Sequence, residues 1–237
     1  MKGRLDVAGV SRGGSFEIHA QAPNKMFLVM QAHPLGTLKV GYNGRHAWEQ
    51  DGRGTRLSKG AELEALAREA DFYDPVNLRQ HFKKVTLLGK SKIGYREVYV
   101  LELQPRLGKP EKLFLNAETY LPVRMNTVRM VGVITPGRAI GQGGRASAGR
   151  ASEADATGRS SGAGASGSST GQRANGSNVV QIAVPVEIYF DDWRAVDGIK
   201  YPFRISQSGA NITLGFTITE IRHNVAVDAS LFEMPRK

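Results

Sequence analysis

The chain has 237 residues, none of them Cys, and a formal net charge of +10. The length suits one large domain or two small ones, and the missing thiols exclude a disulfide framework, a thiolate metal site, c-type haem attachment and a cysteine nucleophile. The charge is spread, densest in KK and KSK between 83 and 92 and in KGRL at the start. With no Lys/Arg stripe interleaved with aromatics, the expectation is no nucleic acid, and at most a weak pull toward anionic membrane surfaces.

Met1 is followed by KGRLDVAGV, which lacks the continuous apolar core of a signal peptide. No run reaches the roughly 18 apolar residues of a membrane span. RLDVAG (4–9), SFEIHAQA (15–22) and KMFLVMQA (25–32) are strand candidates separated by Ser-Arg-Gly-Gly and Pro-Asn. TLKVGY (37–42), RHAWEQ (45–50) and RGTRL (53–57) are three more, joined by Asn43-Gly44 and Asp51-Gly52, the dipeptides of tight hairpins. Short turns in succession favour an antiparallel meander.

The period then changes. Leu63, Leu66, Ala67 and Ala70 form one stripe of an amphipathic helix, with Glu62, Glu64, Arg68 and Glu69 on the other side. Asp74-Pro75 opens a second short helix through about Phe82, with Asp74 as N-cap and Pro75 at the first helical position. Strands resume at 84–93, 95–104, 111–117 and 122–131. Val186, Ile188 and Phe190 alternate with Glu187, Tyr189 and Asp191, Asp197-Gly198 supplies a turn, and the chain returns through Phe203 and Ile205. The cleanest alternation is the last, with Ile212, Leu214, Phe216 and Ile218 on one face and Thr213, Thr217 and Thr219 on the other. Asp228 is placed to cap a final helical turn.

Between the strands ending near 135 and starting near 179 lies a Gly/Ser/Ala/Arg tract, 136–178, without aromatics. It cannot bury enough apolar surface to offset about 1–2 kcal/mol of backbone entropy per residue. The expectation is a disordered loop inserted in a single domain made of 1–135 and 179–237. The fold class expected is mainly β with helices added: a curved, unclosed antiparallel half-barrel whose inner, concave face the helices cover.

No catalytic constellation stands out. Gly162, Gly164 and Gly167 match a dinucleotide fingerprint in letters only, because no strand and helix flank them. Strand alternation sends Asp191 and Asp192 to opposite faces, so with Asp197 they read as a solvated strand end and a turn. The five histidines have no metal-ligand spacing, so no metal and no cofactor are expected, nor an enzyme. Trp48 and Trp193 read as ordinary hairpin packing.

Four segments carry a family resemblance: APNKMFLV (22–29), YNGRHAWEQ (42–50), IYFDDWRAVDGIKYPF (188–203) and NVAVDASLFEMP (224–235). In this order they resemble the LolA-type superfamily of outer-membrane lipoprotein carriers, and more narrowly its lipoprotein-sorting branch. The resemblance implies a curved sheet of about eleven strands, helices plugging its concave side, and an apolar cavity between them that receives acyl chains. It also implies a periplasmic location. Relatives begin with a signal peptide and a helix before the first strand, so this chain is expected to be truncated or incomplete at its start. The candidate cavity residues are Phe16, Ile18, Leu28, Leu101, Leu103, Ile188, Phe190, Phe203, Ile205, Leu214, Phe216 and Ile218. The carrier reading expects a monomer with a lipid or lipoprotein acyl chain as partner, and a membrane-bound partner protein as a further candidate. The alternative is an accessory interaction module in which the same residues form a filled core. Alternation alone cannot separate the two, because core-facing and cavity-facing strands share it.

Overall fold

Pleated strands with one apolar face must bury it against something, and here a helix supplies part of the cover. A computed structural model describes residues 1–33, 36–136 and 177–235. Among them the strands are β1 (Lys2–Val7), β2 (Gly14–Gln21), β3 (Lys25–Ala32), β4 (Gly36–Tyr42), β5 (Ala47–Asp51) and β6 (Gly54–Leu57). Helices α1 (Gly60–Glu69) and α2 (Asp74–His81) follow, then β7 (Phe82–Ile93), β8 (Arg96–Pro105), β9 (Glu111–Asn116) and β10 (Pro122–Pro136). After the tract come β11 (Ser177–Val196), β12 (Ile199–Gly209), β13 (Ile212–Glu220) and a 3-10 turn, Ala229–Phe232. The thirteen strands form one antiparallel sheet in the order β6-β5-β4-β3-β2-β1-β13-β12-β11-β10-β9-β8-β7. That is thirteen where the resemblance implies about eleven. The ends of the first run of strands and of the last are joined through β1 and β13, which pair with Leu5 opposite Phe216 and Val7 opposite Leu214.

The chain divides into two compact units, Met1–Met130 with Ala183–Lys237, and Val131–Ile182. All twelve candidate site residues lie in the larger. The disorder expected for 136–178 falls on residues that, apart from strand residues Pro136, Ser177 and Asn178, lie outside those described.

Within the larger unit the sheet is curved, and simple lengths require it. In the sheet order β5 and β9 are nine strands apart, about 43 Å if flat. Helix α1 has ten residues, about 15 Å. Yet its Leu66 packs on Val40, Tyr42 and Ala47, while its Arg68 donates to Glu111 at 2.7 Å. Only a sheet that curls around the helix lets both contacts exist. Its order begins at β6 and ends at β7, so the half-barrel does not close.

Local details refine the expected turns. Asp197 (φ 48°) and Gly198 (φ 81°) adopt the left-handed pair the hairpin demands. Asn43-Gly44, by contrast, sits in a four-residue loop, where Asn43 Oδ1 accepts from the backbone of Arg45 and His46 at 3.1 and 2.8 Å. Asp228 caps the final turn as expected, accepting from Ser230 N at 2.9 Å. Asp74 is not the N-cap of α2. The helix starts at Asp74 with Tyr73 in the cap position. The acid that organises this end is Asp71, which accepts from Tyr73 N at 2.8 Å and from Asn77 at 2.9 Å.

Candidate ligand-binding face

Residues directly opposite in an antiparallel pair share a face, so register assigns every candidate. Phe16 opposes Met30, Ile18 opposes Leu28, and Leu28 opposes Val40. On the other side of β1, Phe216 opposes Ile205, which opposes Phe190. Leu101 opposes Leu113 and Leu103 opposes Glu111. Arg124, which opposes Phe114, meets Tyr189 on the outer surface at 3.4 Å, which leaves Ile188, Phe190 and Leu113 together on the inner one. All twelve candidates thus lie on the helix-bearing, inner face.

They are not equally assembled. Phe16, Ile18, Leu28, Phe203, Ile205, Leu214, Phe216 and Ile218 form one continuous cluster around Leu5 and Val7. Phe16 and Phe216 meet edge to face at 5.4 Å. Ile188 and Phe190 lie beyond it on β11, and Leu101 and Leu103 on the far flank. Phe16, Leu103, Ile188, Phe203 and Ile218 are buried, whereas Ile18, Leu28, Leu101, Phe190, Ile205, Leu214 and Phe216 keep part of their surface in contact with solvent. The middle of the inner face is therefore apolar and partly open.

Helix α1 covers one flank. Leu63, Leu66, Ala67 and Ala70 pack on Met26, Leu28, Leu38, Val40, Tyr42 and Ala47. Its polar side is largely tied up in ion pairs. Arg56 of β6 bridges Glu62 and Glu49 at 2.6 Å each, Arg129 pairs with Glu69, and Arg68 pairs with Glu111, which is 5% exposed. Arg68 also lies over the Phe82 ring, 4.9 Å from its centroid. Burial pushes the Glu111 carboxyl above its ordinary value, with the Arg68 guanidinium opposing that shift. Burial likewise raises Glu49 against the pull of Arg56. Beside these groups opens a hollow of about 430 Å³ with a mixed lining that includes Pro23, Tyr42, Glu64, Arg68, Asp71 and His81. Sequence reasoning missed both hollow and ion pairs. Their partners are distant in sequence, and the only signal was the charge on the second side of α1.

The other candidates resolve simply. The three aspartates do not converge: Asp191 approaches Arg96 at 3.8 Å, Asp192 binds Arg194 at 2.6 Å, and Asp197 binds His223 at 2.8 Å. Trp48, 1% exposed, packs on the outer face against Phe27 and Phe232. A Cβ on Gly41 would lie 2.3 Å from its ring, so only glycine fits opposite. Among the described residues no group of three or more His, Asp or Glu could hold a metal ion, and no helix is long and apolar enough to cross a membrane.

An unclosed antiparallel half-barrel, with an apolar inner face partly roofed by a helix, defines a structural class that known structures share. No family model matches the sequence, and no curated protein sequence matches it. In fold, the chain is similar to an outer membrane lipoprotein-sorting protein domain from Vibrio parahaemolyticus, at 7% identity and a TM-score of 0.50 over 97% of this chain and 88% of that one. It also matches a DUF1329 family protein from Desulfovibrio piger (13% identity, TM-score 0.49, 98% and 87% covered). A LolA superfamily protein from Nitrosomonas europaea matches at 10% identity and TM-score 0.47, with 93% and 86% covered. The first of these likenesses establishes the fold; at such identities it carries nothing about ligand or residue roles. The resemblance read from four sequence segments is met at that level.

Proposed function

We propose that the chain is a non-catalytic carrier or binding protein for the acyl chain of a lipid or lipoprotein, acting as a monomer in the periplasm. One observation carries this reading: a continuous set of aliphatic and aromatic side chains on the inner face stays half-open. Ile18, Ile205, Leu214 and Phe216 are its half-open members, packed against the buried Leu5, Phe16, Phe203 and Ile218. A filled core would bury such residues, and large contiguous apolar patches left open mark binding surfaces. An acyl chain laid along them gains about 0.8 kcal/mol for each CH₂ removed from water. The one ionisable side chain in the cluster is Tyr201, whose hydroxyl meets His223 Nε2 at 3.0 Å; the others are aliphatic, aromatic or thioether, so the face favours holding over reacting. The compartment follows from the cargo, since lipid-linked cargo needs an aqueous space between two membranes. The fold similarity to a lipoprotein-sorting domain supports the same class.

Native mass spectrometry of the protein taken from its own cells, followed by lipid extraction, tests the proposal. Co-purifying lipid or acyl-bearing peptide supports the carrier. An empty protein that also takes up no fluorescent fatty acid favours the interaction module with a filled core. Fractionation of the same cells tests the compartment, with recovery in the cytoplasm counting against it.

A further inference from the structure

Among the described residues the sheet has two free edges, β6 with four residues and β7 with twelve. A free edge of twelve residues, about 40 Å long, invites another strand, and lysines or a bulge on it discourage that pairing. β7 has both. Lys83, Lys84, Lys90 and Lys92 are exposed, and the register slips between Leu87 and Gly89. Edge protection accounts for these features but not for the apolar side chains among them. Leu87 is 58% exposed, Leu88 51%, and Tyr95, at the turn into β8, 91%.

The charge is one-sided. Residues 82–101 hold Arg96 and the four lysines against Glu97, and of these cations Arg96 also faces Asp191 of β11 at 3.8 Å. Lys90 is 3.9 Å from Glu97 and 5.4 Å from the centroid of the Tyr99 ring. Tyr99 stacks at 6.1 Å on Tyr120, which is itself 64% exposed. Cationic heads beside tyrosines and leucines suit the boundary between water and anionic lipid headgroups, where tyrosines seat at headgroup level and lysines meet the negative surface. A peptide adding a strand would meet the lysines and the bulge, which argue against it.

We propose that the β7 edge, with its turn into β8, docks on an anionic lipid bilayer surface. Leu87 opposes Leu101, so the docking edge is also a rim of the inner apolar face. The docking requires no cargo, and its test is separate from fatty acid uptake. Flotation with vesicles of phosphatidylcholine, with and without phosphatidylglycerol, at low and raised salt, reads it directly. The wild-type protein is expected to float with the anionic vesicles, not with the neutral ones, and to be released by salt. The double variant Lys90→Gln/Lys92→Gln should bind about 25-fold more weakly, at about five-fold per charge removed from the surface. Tyr95→Ser should also weaken binding, and Lys109→Gln, on the β8–β9 loop, should not. Circular dichroism melts of each variant separate lost docking from lost folding. Equal flotation with both vesicles, no flotation with either, or a Lys109→Gln loss matching that of the double variant would overturn the proposal.

Discussion

Two stretches of the same inner face differ in what lies on them. On β3 to β5, Val40, Tyr42 and Ala47 are sealed beneath Leu66 of α1 and Ala70 at its C-cap. Around β1 and β13, Ile18, Ile205, Leu214 and Phe216 carry the same kind of side chain on the same face and stay half-open. Alternation along a strand says which face is apolar; it does not say whether anything covers it. Coverage is a tertiary fact, fixed by where α1 is anchored. That anchoring is asymmetric, apolar with an added ion pair from Glu62 to Arg56 on the β3–β6 side, and ionic toward β9 and β10.

The ionic anchor offers the largest perturbation. Arg68→Ala leaves Glu111 buried without its partner, and loss of one member of a buried pair costs about 3–5 kcal/mol. Chemical denaturation should show this loss at neutral pH. The loss should shrink as pH falls through the raised value of the buried Glu111 carboxyl toward 4.5, because protonating Glu111 removes the unpaired charge. A variant as stable as the wild type would mean that α1 is not tied to the far flank.

The covered and open stretches are compared most directly by truncation. Leu66→Ala should cost about 2–5 kcal/mol, the range for a buried leucine. Leu214→Ala, half-solvated, should cost less than half as much, with the denaturant slope unchanged in both. Equal losses would mean that the open stretch is as well packed as the covered one, and the distinction would fail.

Much of this was legible in the residues. The 3.6-residue stripe of α1, the strand from Ile212 to Glu220 and the turn at Asp197-Gly198 all reappear in place, because each is dictated by local geometry; burial alternates only from Phe216 to Thr219, and Ile212 is exposed. The strand candidates agree with the observed strands to within a few residues, except β11, which extends to 20. The outer cluster of Phe27, Trp48 and Phe232 was not legible, since KMFLVMQA is apolar on both faces and shows no period. Nor was the role of Arg68, whose partner Glu111 lies 43 residues away. Nearest-neighbour patterns cannot carry such pairings. Asp74 misled because Asp before Pro reads as a cap wherever it stands, while Asp71 already held that end.

A smaller effect concerns Glu49. Its carboxyl is raised above 4.5 chiefly by burial, so the folded state binds its proton more tightly than the unfolded one. The stability it contributes is complete below 4.5 and is lost as pH rises through the folded value. Arg56 keeps Glu62 as a partner in its absence, so Glu49→Gln should stabilise slightly at neutral pH, by less than about 1 kcal/mol, and be neutral in acid. A destabilising effect at neutral pH would show that Glu49 is needed to hold Arg56. Smallest of all should be replacement of the tract by a short Gly-Ser turn between Val133 and Val179. The melting temperature should stay within a few degrees, since loop closure depends only weakly on length; a large drop would mean that the tract contributes to packing.

The central claim, that the open stretch of the inner face receives an acyl chain, is tested most directly by titrating a fluorescent fatty acid into the wild type and Leu214→Gln. Saturable uptake by the wild type, weakened at least about ten-fold (about 1.4 kcal/mol) in a variant whose melting temperature is close to the parent's, is the expected result. No uptake by the wild type, or equal uptake by both, would contradict it.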